Sequence, residues 1–389
     1  MSTRVAVIVL DGVGCGAAAD AAAYGDVGSN TLSHVLAQVP ALRLPTLERL
    51  GLGHVGTLPG VAPLTDHAGA VTVLEPRSAG KDSTTGHWEI AGVILEAPFP
   101  TFPTGFPSSV IDAFALATGR QVIGNCVASG TAILDALANE HVATGSWIVY
   151  TSADSVFQIA AHEAVVPLDE LYAACEVARA LLVAPNNVSR VIARPFVGHS
   201  GSWHRTINRR DYSLQPTSDT LLDALEAAGV ARTGVGKVDD LFAGRAITSA
   251  HTANNAEGLR RIGDWLTGDE SGFLFANLVD FDQLFGHRND VSGFAGALAE
   301  FDAALPTLLA ALRDDDLLFI TADHGNDPTT ASTDHARERV PLILAGPTVR
   351  ATVLPPRQTF ADLGATVAEA FGLQWRGCGT SFLSLVRAA

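Results

Sequence analysis

Three short stretches of the chain place acidic and histidine side chains just past apolar runs. VAVIVL (5–10) runs into Asp11, and FLFANLV (273–279) into Asp280-Phe281-Asp282 and then His287. LLFITA (317–322) runs into Asp323-His324-Gly325-Asn326-Asp327, and eleven residues after His324 comes His335, in TDHARE. Carboxylates and imidazoles with no thiolate nearby are the ligand set of manganese, zinc or iron rather than of a sulfur-bound metal. Three aspartates and three histidines exceed what one catalytic ion needs. Two ions about 3.5–4 Å apart would use them, and such a pair clamps the attacking and leaving oxygens of phosphoryl transfer. Between the neighbouring carboxylates, Asp282 is the expected ligand, because Gly286 allows a turn that brings His287 to the same ion. Asp280, closer to the strand, is expected to orient a histidine, and Asp327 to act as a supporting hydrogen-bond acceptor. A lone Asp after a strand is usually a helix cap. Three strand ends reading DG, DFD and DHGND are hard to produce by capping alone.

A second stretch, GKDSTTGHWE (80–89), carries three consecutive hydroxyls, Ser83, Thr84 and Thr85. A surface loop rarely includes a Trp, and a helix rarely tolerates a Gly such as Gly86 in its middle. A hydroxyl is a poor nucleophile unless a metal or a base activates it. Taken alone, each of the three fits an ordinary hydroxyl turn, and the stretch does not rank them.

The runs that precede these side chains, together with PLILA (341–345), read as strands covered on both faces in a parallel sheet. Amphipathic segments alternate with them at 218–229, 256–268 and 360–372; the first has Ser218 and Asp219 as cap candidates and stops at Gly229. The fold class expected is α/β, a mostly parallel sheet with helices on both faces. Ligands in such sheets sit at the carboxyl ends of strands, where the acidic and histidine residues lie. The middle of the chain opens on the proline-rich APFPTFPTGFP (97–107) and then carries its own strand and helix patterns, SWIVYT (146–151) and LDELYAACEVARALL (168–182). A smaller α/β domain inserted at 96–216 into a core made of 1–95 and 217–389 accounts for this. The prolines and Gln215-Pro216 would form the connections.

At 389 residues the chain suits two domains, and 47% hydrophobic with 17% charged residues is globular composition. A net charge of −16 argues against a nucleic-acid partner, and any bound phosphate must be met by a local cluster of Arg, Lys or metal. No apolar run approaches the roughly 18 residues of a membrane span. The N-terminal run from Val5 to Leu10 is too short for a secretory core and reads as a buried strand. Cys15, Cys126, Cys175 and Cys378 show no CxxC pairing, which suggests reduced thiols in a cytoplasmic protein.

With these residues in place, the chain resembles the phosphopentomutases of the alkaline phosphatase superfamily. LDGVGCG (10–16), GKDSTTGHWEIAG (80–92), NLVDFDQLFGHR (277–288), TADHGND (321–327) and TDHARE (333–338) carry the resemblance in the core; YTSADSVFQIAAHE (150–163) and VIARPFVG (191–198) carry it in the insert. The DHG-type stretches are shared across the superfamily. GKDxxTGHWE with the YTSADS and IARPF elements is far more specific. The sequence departs from the pattern at GAAADA (16–21), where the family commonly has a proline before the aspartate, and at Ser83, where it often has threonine.

The resemblance implies an alkaline-phosphatase-like core with an inserted cap, and an isomerase that interconverts ribose 1-phosphate and ribose 5-phosphate and the 2-deoxy equivalents. It implies two divalent ions, usually Mn2+, with a sugar bisphosphate such as glucose 1,6-bisphosphate as the activator that phosphorylates the enzyme. Ser83 is then the nucleophile. One ion would be held by Asp282, His287 and His335, the other by Asp11, Asp323, His324 and the Ser83 oxygen. Arg194, Arg209 and Lys237 are expected to meet the substrate's other phosphate, and Asp154 and Ser155 the sugar hydroxyls. The neighbouring readings are a metal-dependent phosphomonoesterase and a cofactor-independent phosphoglycerate mutase. A sulfatase lacks support, since no CxPxR-type stretch is present.

Overall fold

A computed structural model of the chain describes residues 3–152 and 154–387; Ala153, within the TSADS stretch, lies outside the described residues. The chain divides into two compact units, one formed by 1–97 with 216–389 and the other by 98–215.

The larger unit is a mixed α/β layer built on an eight-stranded sheet, in the order 249–250, 232–235, 272–278, 4–10, 317–321, 340–345, 70–74, 352–353. The strands Arg4–Leu10, Gly272–Leu278, Leu317–Thr321 and Val340–Ala345 are buried at every residue. That explains their nearly unbroken apolar sequences. Arg4–Leu10 is central and runs parallel to both neighbours, so Leu10, Leu278 and Thr321 end at the same edge of the sheet.

Two expectations need correcting. Val340–Ala345 is antiparallel to Leu317–Thr321 and also to Ala70–Leu74. A strand buried on both faces reads the same in either direction. The direction follows from the connection, because 322–339 contains no helix to carry a parallel crossover. The helix Leu221–Ala227 is capped by Thr220 rather than by Ser218 or Asp219. Thr220 Oγ1 accepts from Leu222 N at 3.1 Å while Asp223 Oδ2 accepts from Thr220 N at 2.8 Å, a reciprocal cap. Asp219 is instead paired with Arg245 at 2.6 Å.

The smaller unit is a sheet in the order 122–127, 147–151, 156–162, 190–199, 202–205, with Arg210–Ser213 also paired to Arg190–His199. Phe106, Phe114, Trp147 and Phe157 belong to its main apolar cluster, which also takes in residues of the helices Ser108–Thr118 and Leu168–Leu181. All four cysteines are free. Among the described residues, no helix is long and apolar enough to cross a membrane.

Candidate active site

Asp11, Asp282, Asp323 and His324 follow the carboxyl ends of three adjacent strands of the larger unit, and all are buried. Past Leu278 the chain closes a π-helical turn, Phe281–Phe285, and then a tight turn, Gly286–Arg288. These turns place Asp282 and His287 on one point, with His287 Nε2 at 3.2 Å from Asp282 Oδ2. His335 Nε2 comes within 3.4 Å of Asp282 Oδ1. His324 Nε2 lies 3.2 Å from Asp11 Oδ1 and 3.6 Å from Asp323 Oδ2.

The histidine tautomers suit cation binding. His287 Nδ1 donates to Thr333 O at 2.6 Å and His324 Nδ1 to Gly325 O at 3.0 Å, which leaves both Nε2 lone pairs facing the carboxylates. Two groupings of ligand atoms result, Asp282 with His287 and His335, and Asp11 with Asp282 and His324. Asp282 belongs to both, and Asp323 stands beside the second rather than within it. Asp11 Oδ2 is buried against Lys237 Nζ at 2.7 Å, and Asp323 Oδ2 is buried with no hydrogen bond. Three buried carboxylates converge here, and their charge is costly away from water unless Lys237, protons on the facing histidines or bound cations offset it. The donor set therefore fits divalent metal.

The electrostatics agree. Burial pushes the Asp11 carboxyl up, but Lys237 and His324 outweigh it and hold Asp11 below the ordinary carboxylate range. Burial likewise opposes ionisation of Asp282, and His335 and His287 hold it well below that range. The hydrogen bond to Asp282 raises His287 to about 9. His324 rises to about 10, against burial, through Asp323, Asp11 and Asp282. A field that draws protons onto these rings also draws divalent cations, and the two compete for the same lone pairs.

GKDSTTGHWE resolves into structure at this point. Ser83 opens the helix Ser83–Ile90, all of it buried, and Asp82 caps it by accepting from Thr85 N at 3.1 Å. Gly86 is accommodated because the Asp323 carbonyl lies against it, so a Cβ there would overlap the strand end. Ser83 Oγ is 3.2 Å from Asp11 Oδ1, which accepts its hydrogen bond, and 3.2 Å from His324 Nε2. Thr85 Oγ1 donates to Asp82 at 2.6 Å and is occupied by the cap. The helix start also offers backbone N–H groups to an anion.

Lys237, expected at the substrate's other phosphate, lies instead beside this hydroxyl. Its Nζ is 2.7 Å from Asp11 Oδ2 and 3.4 Å from Ser83 Oγ. Burial opposes its charge, yet Asp11 and Asp282 raise its pKa. Asp280 does not orient a histidine. Its carboxylate accepts from Asn255 N at 2.7 Å and its own N–H donates to Asn255 Oδ1 at 3.0 Å, fastening the helix Asn255–Thr267. Asp327 accepts from Asn30 N at 3.1 Å and Thr329 N at 3.0 Å, bracing a loop. A residue missed in the sequence is Asn326, whose Nδ2 donates to Asp282 Oδ1 at 2.8 Å. Its place inside DHGND marked the stretch but not the atom. Arg337 of TDHARE was also missed; it is buried, pairs with Asp20 and donates to the Pro76 and Ser78 carbonyls ahead of the Ser83 helix.

The other expected residues belong to the smaller unit. Arg194 Nε donates to Gln158 Oε1 at 3.1 Å, and burial, with Arg209 and Arg205 nearby, lowers its pKa to about 10. Arg209 pairs with Asp211 through two hydrogen bonds of 2.6 Å. Ser155 uses its hydroxyl within the unit, donating to Pro100 O at 2.6 Å and accepting from Ser189 N at 3.2 Å, and Asp154 is exposed.

Known proteins resemble the chain over nearly its whole length. A model of the metalloenzyme superfamily matches residues 3–375. The chain is 53% identical to the phosphopentomutase of Caldanaerobacter subterraneus subsp. tengcongensis over 385 residues, covering 98% of each. It is 53% identical to that of Carboxydothermus hydrogenoformans over 386 residues, covering 99% of each. Among solved structures, the PH0037 protein from Pyrococcus horikoshii shares the fold, with a TM-score of 0.50 at 15% identity over 98% of this chain and 100% of that one. Identity of this extent over nearly the whole chain means that it belongs to the phosphopentomutase family of the metalloenzyme superfamily and is an isomerase, an intramolecular phosphotransferase.

Proposed function

We propose that the enzyme interconverts ribose 1-phosphate and ribose 5-phosphate, and the 2-deoxyribose equivalents, through a phosphorylated Ser83 and a pentose 1,5-bisphosphate. The observation that carries this reading is the position of Ser83 Oγ, 3.2 Å from both Asp11 Oδ1 and His324 Nε2 at the start of a buried helix. Two divalent ions, Mn2+ by the family resemblance, would be held by Asp282, His287 and His335 and by Asp11, Asp323, His324 and Ser83 Oγ. When bound they neutralise phosphoryl charge and lower the proton affinity of the serine oxygen.

The chain's own groups do the rest. Phosphoserine 83 gives its phosphoryl group to the free hydroxyl of the pentose monophosphate. The P–Oγ bond breaks as the P–O bond to the sugar forms, and the sugar hydroxyl's proton replaces phosphorus on Ser83. The bisphosphate turns end for end, and Ser83 takes the phosphoryl group from the other position. Lys237 Nζ, 3.4 Å from the serine oxygen, offers positive charge to the group in transfer. Arg194 and Arg209 of the inserted unit are the candidates for the phosphate that stays in place, with Asp154 and Ser155 for the sugar hydroxyls. The insert serves as the cap that keeps water, the competing acceptor, from the phosphoserine. A sugar bisphosphate such as glucose 1,6-bisphosphate primes Ser83. Four free cysteines suit a reducing, cytoplasmic setting.

The test is incubation with Mn2+, a trace of glucose 1,6-bisphosphate and ribose 1-phosphate. Ribose 5-phosphate is the expected main product, and Ser83→Ala is expected to lower turnover on the order of 10⁴-fold or more. Free phosphate as the main product would make the enzyme a phosphomonoesterase, and near-normal turnover by Ser83→Ala would remove the phosphoserine.

A further inference from the structure

His87, of the GHWE in the nucleophile stretch, has no part in the mechanism above. It has no solvent exposure, and it stands one helical turn after Ser83. Side chains of a helix lean toward its N-terminus, so a residue at this spacing reaches back over the first turn. His87 Nδ1 is 2.9 Å from Ser83 O. The same nitrogen is 3.1 Å from Asp323 Oδ2, a buried oxygen with no hydrogen-bond donor of its own. The other ring nitrogen, Nε2, faces Asn277 Nδ2 at 3.0 Å. An amide NH2 only donates, so Nε2 is the acceptor and the ring proton sits on Nδ1.

We infer that His87 is a positioning residue that ties the nucleophile's helix to the Asp323 carboxylate and so fixes the half of the metal centre nearest Ser83. Asp323 is then hydrogen-bonded at Oδ1 and in contact with the His87 ring at Oδ2. Gly12 N donates to Oδ1 at 3.1 Å, and the polar Nδ1–H side of His87 faces Oδ2. One ring spans the serine's backbone and the aspartate, so the distance between nucleophile and ligand does not depend on a mobile chain. Asn277 fixes the tautomer from a fully buried position in the strand Gly272–Leu278, where an otherwise apolar run carries one amide. An outer partner that orients a metal ligand typically changes metal affinity about 10–100-fold when lost.

The inference rests on the two-ion reading, and Mn2+ titration of the full chain, followed by the EPR signal of free Mn2+, tests the two separately. The wild-type chain is expected to bind two ions. His87→Gln, which cannot place a donor where Nδ1 is, is expected to weaken one class of site about 10–100-fold and spare the other. His87→Asn, whose amide nitrogen falls near the Nδ1 position, is expected to restore that class to within about 3-fold of wild type. Asn277→Ala leaves the ring but frees its tautomer, and is expected to weaken the same class less. It also decides the matter if His87→Gln fails to fold, as judged by thermal unfolding in EDTA. Two wild-type sites left unchanged by both His87→Gln and Asn277→Ala, or weakened equally, would overturn this inference alone. A wild-type chain that binds fewer than two ions would overturn the two-ion reading and this inference with it.

Discussion

The two units of the chain carry charge in opposite ways. In the larger unit Asp11, Asp282 and Asp323 are 0%, 4% and 2% exposed and share a single lysine. In the smaller one, Arg209 keeps 43% of its side-chain surface and already has a carboxylate partner, Asp211. Buried carboxylates are costly unless positive charge offsets them, so the first cluster calls for cations, whether protons on its histidines or bound metal. An ion pair exposed on its arginine side is worth at most about 1 kcal/mol, so it can exchange one anion for another at modest cost. Metal held for the life of the protein suits the first arrangement, and a substrate phosphate that arrives and leaves suits the second.

The comparison is broken most directly at Asp282, which belongs to both groupings of ligand atoms. Asp282→Asn keeps the shape and removes the charge that faces His287 and His335. The expected outcome is a loss of turnover on the order of 10³-fold, since metal stabilisation of the transferring group is worth several kcal/mol. Mn2+ stoichiometry measured alongside should fall. Full stoichiometry with normal turnover would mean that this buried cluster serves folding alone.

Arg194 sharpens the other side. Arg194→Ala is expected to leave Mn2+ stoichiometry untouched and to raise KM for ribose 5-phosphate about 10–100-fold, the scale of a hydrogen bond to a charged group. Steady-state kinetics distinguish this from a catalytic defect, because kcat should move far less. An unchanged KM would return Arg194 to the role seen within its own unit, a partner for Gln158.

The same contrast explains what was legible in the sequence. The strand ends could be read because burial on both faces leaves few polar residues, and Asp11, Asp282 and the Asp323-His324 pair stand out against that background. The antiparallel course of Val340–Ala345 was not read, although the helix-free stretch 322–339 carried the signal. Lys237 follows the short strand Arg232–Val235, whose RTGV sequence is not an apolar run, so its alignment with the other strand ends was hidden. Asp280 looked like a ligand's companion because of its position, and only the reciprocal bonds to Asn255 reveal it as a helix fastening. In the insert, composition gives no comparable contrast. Arginines at partly exposed positions look alike until their partners are known.

The smallest effect expected lies at Asp211, where the insert's pairing can be titrated. Burial pushes the Asp211 carboxyl up, but its hydrogen bonds from Arg209, with Arg190 and Arg194 nearby, hold it below its ordinary value. The unfolded chain keeps that proton up to a pH of about 3.9. Between the two values the unfolded state binds more protons, so stability rises with pH there. The contribution is complete above about pH 4 and is lost as pH falls through the folded-state value. Asp211→Asn removes it, so the variant should be less stable than wild type near pH 6, on the order of 1 kcal/mol. Thermal unfolding across pH 3–7 should show the gap closing toward acid, with Mn2+ binding at pH 7 unaffected. A gap that stays constant with pH would mean that Asp211 acts through packing rather than charge. The insert would then owe its stability to the same kind of buried fit as the core, and the contrast between the units would narrow to their ligands.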